Sequence, residues 1–333
     1  MRTVTPSQKW GVSGGVPASA TVALKNGWLP RDDGWVINSI GHVRGGTRDY
    51  VIAVLTSGVP TMSYAITTTE HLSAMAWSRP LAPLGDFSGD GWPDLITRQT
   101  SSGALLLYRG NGRGLATHVS IGTSWNGMDA ITRLGDFNRD GHEDVIARES
   151  ATGDLWLYPG TGSGFGPRLR VGVGSNGMRE ITLAGDLNRD GYPDLVAVQT
   201  STGSLTFYPG KGTGFGSPSV IGPGWNAMTE LTGAGDFNRH GWADLVSRKS
   251  ATGELWLYRG TAAGFSSALR IGNGWNGMRD LVGVGDFDKN SFQDLVAVQN
   301  TTGKLLRYPS RGTSFGAPLV IGSGWTADFA PLL

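Results

Sequence analysis

Cysteine is absent from this 333-residue chain, which excludes disulfides, thiolate metal sites and cysteine nucleophiles. A dominant charge is absent too, since 28 Lys and Arg nearly cancel 27 Asp and Glu to leave a formal +1. With no net field, nucleic acid and acidic membrane surfaces are not expected partners. Long apolar runs are missing as well. Stretches such as residues 50–55 fall far short of the ~18 residues a membrane helix needs, so no membrane span is expected. The first ten residues hold no apolar core and do not read as a signal peptide, as though Met1 were not the natural start. Glycine, by contrast, is abundant at 53 residues, alongside 12 Trp and 39% hydrophobic residues. That balance suits many short strands joined by tight turns.

Repetition decides the architecture. Gly-Asp recurs at Gly85, Gly135, Gly185, Gly235 and Gly285, a fixed period of 50. Tyr108, Tyr158, Tyr208, Tyr258 and Tyr308 keep the same phase, as do Phe165, Phe215, Phe265 and Phe315. Trp125, Trp225, Trp275 and Trp325 do likewise. Within residues 181–230, four short apolar or alternating segments (181–185, 195–199, 204–208 and 217–221) are separated by polar or glycine turns. Four strands per unit describe a propeller blade, and no segment keeps a 3.6-residue apolar spacing. The predicted fold is all-β: a five-bladed β-propeller over residues 79–333, with a small β-rich segment over 1–78. Residues 325–333 run in phase with 275–283 and offer a last strand able to pair with the first blade and close the ring.

Each first strand leads into a nine-residue acidic loop. Its copies carry Asp86, Ser88, Asp90 and Asp94; Asp136, Asn138, Asp140 and Asp144; and Asp186, Asn188, Asp190 and Asp194. Oxygen side chains at positions 1, 3, 5 and 9 converge if the loop curls, with a backbone carbonyl available at Trp92, His142 or Tyr192. This oxygen shell suits Ca²⁺ better than zinc. Position 12 is not Glu and the flanks read as strands, so these are not EF-hands. The competing reading is plain turn chemistry. Later copies are degraded. The fourth keeps Asp236, Asn238 and Asp244 but has His240 at position 5; the fifth keeps Asp286, Asp288 and Asp294, with Asn290-Ser291 in place of Asp-Gly. The expectation is three calcium sites, a weak fifth, and a weak or empty fourth.

Phe165-Gly166, Phe215-Gly216, Gly233–Asp236 and the acidic loops together resemble the FG-GAP (VCBS) repeat of integrin α-subunit propellers, secreted bacterial proteins and some lectins. The resemblance covers about three quarters of the chain. It implies a calcium-stabilised, usually extracellular propeller for adhesion or ligand display, and it implies no catalysis. A glycan, a cell-wall polymer or a protein is the expected ligand, and the molecule is expected to be a monomer.

Residues 1–78 lack the repeat. Segments 18–24, 35–40 and 50–55 read as strands and 67–77 as a helix. Lys25-Asn26-Gly27, directly after the first strand in a strand–strand–strand–helix order, resembles the Lys-Thr-Gly box near the end of class A β-lactamases and penicillin-binding serine hydrolases. No serine stands three residues before any of the six lysines, and no Ser-Asp-Asn occurs, so the nucleophile motif is missing. The alternatives are the non-catalytic tail of such a hydrolase or a small β-rich cap. The five histidines (His42, His71, His118, His142 and His240) show no paired spacing. The phased tryptophans favour packing between blades over sugar stacking, Trp156 and Trp256 are expected nearer the surface, and Arg98, Arg148 and Arg248 on a solvated face.

Overall fold

A two-residue turn at Asp32-Asp33 and two long alternating segments organise the first unit. Strands β1 (Thr21–Arg31), β2 (Gly34–Gly45) and β3 (Arg48–Val59) form an antiparallel meander, with Arg31 paired to Gly34 at the turn. Gly34 sits at φ +125°, where a side chain would be strained. Helix α1 (Met62–Ser78) starts earlier than the expected residue 67 because Thr61 caps it, accepting the Tyr64 N–H at 3.1 Å. Thr68 and Thr69 then donate back to the carbonyls of Tyr64 and Ala65, which satisfies their hydroxyls within the helix. Trp10, Ile37 and Ala65 form the small core. The computed structural model describes residues 5–18, 20–45, 48–78, 84–266 and 268–333. The chain divides into Met1–Leu81 and Ala82–Leu333; the expected division at 78/79 borders residues 79–83, outside those described.

The second unit is a five-bladed propeller of four-stranded antiparallel sheets. The second blade comprises Met128–Gly135, Asp144–Glu149, Leu155–Tyr158 and Leu169–Gly172. The third comprises Met178–Gly185, Asp194–Gln199, Leu205–Tyr208 and Ser219–Gly222. The fourth comprises Met228–Gly233, Leu245–Lys249, Glu254–Tyr258 and Leu269–Gly272; the fifth, Met278–Gly285, Asp294–Gln299, Leu305–Tyr308 and Leu319–Gly322. The first blade is assembled from both ends of the unit. Its inner strand is Phe329–Leu332, paired with Leu95–Gln99 and followed by Ala104–Tyr108 and Val119–Gly122. Leu333 and Ile96 exchange backbone hydrogen bonds of 2.8 and 3.1 Å. That pairing supplies the first blade with its fourth strand.

Blades adhere through aromatic cores. Trp125, Trp225, Trp275 and Trp325 are buried against Tyr158, Tyr258, Tyr308 and Tyr108, with ring centroids 4.4–4.9 Å apart. Their phase therefore serves packing between blades, as expected, and takes them out of reach of a sugar. In three of the acidic loops the second residue plugs the next blade: Phe87 meets Phe165, Phe137 meets Phe215, and Phe237 meets Phe315 at 5.2–5.8 Å. Trp156 and Trp256, expected nearer the surface, are half-buried and pack against these clusters. Among the described residues no helix is long and apolar enough to cross a membrane.

Candidate metal-binding loops

In all five loops the ninth residue anchors the fold. Asp94, Asp144, Asp194, Asp244 and Asp294 are fully buried. One oxygen of each accepts the N–H of residue 110, 160, 210, 260 or 310 at 2.8–3.0 Å. In the first four loops the other oxygen accepts the N–H of Ser88, Asn138, Asn188 or Asn238 at 2.7–3.2 Å. Gly160 shows why the donor is usually glycine: a Cβ there would lie 2.0 Å from the Glu143 carbonyl oxygen. Burial pushes these carboxyls up, Asp144 and Asp294 to about 7 and Asp194 to about 6, against the lowering pull of those N–H bonds.

The first residue accepts the N–H of position 6 in every loop: Gly91 on Asp86, Gly141 on Asp136, Gly191 on Asp186, Gly241 on Asp236 and Ser291 on Asp286. Its second oxygen differs between loops. Oδ1 of Asp186 and of Asp286 is buried without a hydrogen-bond donor. At position 5, Asp90, Asp140 and Asp190 turn onto the N–H of Trp92, His142 and Tyr192 at 2.9 Å. Asn138 and Asn188 bond to Asp140 and Asp190. Among the described residues, only the fourth loop gathers three Asp, Glu or His side chains with ligand atoms within 4.8 Å of one another. Asn290 of the fifth loop bonds to the N–H of Phe292, and Asp288 accepts the Asn290 N–H.

Two loops set a nitrogen-bearing side chain among their carboxylates. In the fifth, the buried Arg307 guanidinium lies 3.3 Å from Asp288 and 3.7 Å from Asp294. In the fourth, His240 faces Asp236 and Asp244.

Neighbouring loops are stitched together by a belt that the sequence reading missed. The position-4 cation of one loop covers the position-7 aromatic of the next: Arg139 lies 3.7 Å from the Tyr192 ring centroid, Arg189 3.5 Å from Trp242, Arg239 5.3 Å from Phe292 and Lys289 4.5 Å from Trp92. Arg139 and Arg189 also donate to the carbonyls of Gly191 and Gly241. Gly89 and His142 occupy the fifth junction and leave it unstacked. The 50-residue phase of these cations was the available signal.

Arg98, Arg148 and Arg248 do not line a solvated face. Each donates to the backbone of the turn entering the next blade, at Met128, Met178 and Met278 (2.6 Å in every case). Glu180 and Glu230 do similar work around the central channel, a cavity of about 500 Å³ lined by the inner strands, where they accept the N–H of Leu231 and Leu281 at 2.8 Å. In the first unit Lys25 is exposed. Asn26 is occupied structurally, donating to the carbonyls of Gln8 and Trp10 and accepting the Ser39 hydroxyl at 2.6 Å. An added Cβ at Gly27 would meet nothing within 4 Å.

The model of the FG-GAP-like repeat matches four overlapping stretches: residues 86–147, 136–197, 186–247 and 236–297. No curated protein sequence matches. Among solved structures, the Photorhabdus luminescens Tc holotoxin pore is 16% identical with a TM-score of 0.39; the match covers 91% of this chain but only 15% of that one. BBS1N in complex with ARL6DN is 10% identical with a TM-score of 0.36, covering 89% and 81% of the two chains. A Bacillus licheniformis rhamnogalacturonan lyase is 11% identical with a TM-score of 0.26, covering 93% and 66%.

Proposed function

The chain belongs to the FG-GAP-like repeat family, and we propose that its propeller is a non-catalytic, calcium-stabilised binding module that works outside the cell. The observation that carries the calcium reading is the buried Asp186 Oδ1, a carboxylate oxygen with no hydrogen-bond donor. A buried acceptor left unpaired is costly, and more so when charged. A hard cation at that oxygen removes the cost and offsets the repulsion between Asp186 and Asp190. Asp186, Asn188, Asp190 and Asp194 would hold the ion, with the carbonyl of Tyr192; Asp86, Ser88, Asp90, Asp94 and Trp92, and Asp136, Asn138, Asp140, Asp144 and His142, form the equivalent sets. Calcium supplies charge neutralisation and loop rigidity there, not reaction chemistry. In the fifth loop Arg307 already sets a positive charge beside Asp288 and Asp294, which weakens the case for an ion there.

The ligand is a glycan, a cell-wall polymer or a protein, met on surfaces that the blades repeat. Weak sites engaged together gain avidity of roughly 10²–10⁴. The second reading, a hydrolase tail, draws no support from Asn26, whose amide is spent on the Gln8 and Trp10 carbonyls. Melting the protein with calcium and with a chelator tests the calcium reading. At 100 times the dissociation constant each independent site adds about 2.7 kcal/mol, or about 5–10 °C for a domain of this size. Superimposed melting curves would reduce the loops to turns.

A further inference from the structure

We propose that the fourth loop is a transition-metal site, in which Asp236, His240 and Asp244 bind a zinc-class divalent ion in preference to calcium. The proposal goes beyond the calcium reading and stands without it, since it rests on different ligand atoms. Where the first three loops have a carboxylate at position 5, this loop has an imidazole, and its ring points inward. His240 Nδ1 lies 3.3 Å from Asp236 Oδ1 and 3.8 Å from Asp244 Oδ1. Two ligand atoms bound about 2.1 Å from a tetrahedral ion are about 3.4 Å apart, so these separations are those of adjacent ligands on one ion.

The other ring nitrogen fixes the chemistry. His240 Nε2 lies 2.9 Å from the carbonyl oxygen of Gly260. A carbonyl only accepts, so Nε2 carries a hydrogen, and Nδ1 is the ring nitrogen turned toward the two carboxylates. Holding a ligating imidazole through its second nitrogen to a backbone carbonyl is the usual outer-shell support of a metal–histidine bond.

The carboxylates are equally prepared. Asp244 is fully buried and held by the N–H groups of Asn238 and Gly260, and Asp236 by those of His240 and Gly241. Among the described residues, no lysine or arginine forms an ion pair with either, whereas Arg307 fills that role in the fifth loop. Half-exposed His240 and Asp236 leave an entry path and room for water ligands. Imidazole with two carboxylates suits first-row divalent ions, while calcium favours all-oxygen shells.

The test uses the full chain dialysed against zinc chloride in a large excess of calcium, followed by metal analysis, with cobalt(II) as the visible-absorbing probe of an imidazole–carboxylate site. One zinc per chain is expected. H240A lowers zinc affinity by at least about tenfold, a loss that even an outer-shell partner can bring, while its calcium-free melting curve shows that it is folded. H240D restores an all-oxygen loop, so it loses the zinc and binds one more calcium than wild type. H118A and H142A keep the zinc. Equal zinc affinity in H240A, loss of zinc in H118A or H142A, or displacement of zinc from wild type by calcium would each overturn the proposal. If the other loops bind no calcium, the wild-type calcium count falls to zero while the zinc count stays at one, which separates the two failures.

Discussion

Arg179 faces Val198 across the inner pair of strands in the third blade, and its guanidinium reaches the carbonyls of Trp225 and Met228 in the turn that opens the fourth. The second blade has the opposite arrangement: Arg148 on the second strand faces Asp129 on the first, and Arg148 makes the reach. The fourth blade uses Arg248 opposite Thr229, and the fifth uses Arg279 opposite Val298. One cross-strand pair thus supplies one clamp per junction, from whichever strand carries the arginine.

That equivalence predicts a rescue. Arg179→Val removes charge-assisted bonds to partly buried turn carbonyls and should cost about 2–4 kcal/mol at roughly 1.5–3 per bond, less than additively. Adding Val198→Arg should return most of the loss, because blades two and four already use that position. Denaturant titration of the single and double variants measures it; a double variant no more stable than Arg179→Val would show that the two positions are not interchangeable.

The cation–aromatic belt has a gap that can be filled. Gly89 lies at φ +73°, and Arg139, Arg189, Arg239 and Lys289 occupy the same place at 59–62°. An added Cβ at Gly89 meets nothing within 4 Å. The pair Gly89→Arg with His142→Trp should be more stable than the sum of its single changes, by about 0.5–2 kcal/mol. A double-mutant cycle with zero coupling would contradict this.

Metal-free protein should be more stable in mild acid than at neutral pH. Burial raises Asp144 and Asp294 to about 7 and Asp194 to about 6 from the ordinary aspartate value of 3.8, so between about pH 4 and 7 these groups bind more protons in the folded chain than in the unfolded one. These groups therefore lose stability as pH rises through that window. With chelator present, the melting temperature should climb as pH falls from 7.5 to 5.5, and Asp144→Asn should flatten part of the slope. A melting temperature that falls over that range would oppose the assignment.

Arg307 is expected to exclude calcium from the fifth loop. Arg307→Met should therefore let that loop bind calcium through Asp286, Asp288 and Asp294, widening the melting difference between calcium and chelator relative to wild type. An unchanged difference would leave Ser291, held at φ +74°, as the reason the loop stays metal-free.

Blade number, strand order and the closing C-terminal strand were legible because glycine, tyrosine and tryptophan keep a 50-residue phase around four short strand-like segments. The acidic loops were legible for the same reason. What composition hid was direction. Arg98 and Arg148 read as surface residues because a polar side chain on a strand usually meets water, yet the turn carbonyls of the next blade, 27 and 30 residues on, face them instead. Arg307 interrupts a column of apolar residues (Leu107, Leu157, Phe207 and Leu257), and only the packed blade shows it aimed at Asp288. His240 reads from sequence as a lost ligand because imidazole is a poor partner for a hard cation.

Calcium content per chain, measured by equilibrium dialysis at pH 7.5 with zinc excluded, is the most direct measure of the central claim. The loops of Asp86, Asp136 and Asp186 predict three ions per wild-type chain, and Asp186→Asn should lower that number by one. A wild-type chain that retains no calcium, with a melting curve indifferent to chelator, would contradict the account.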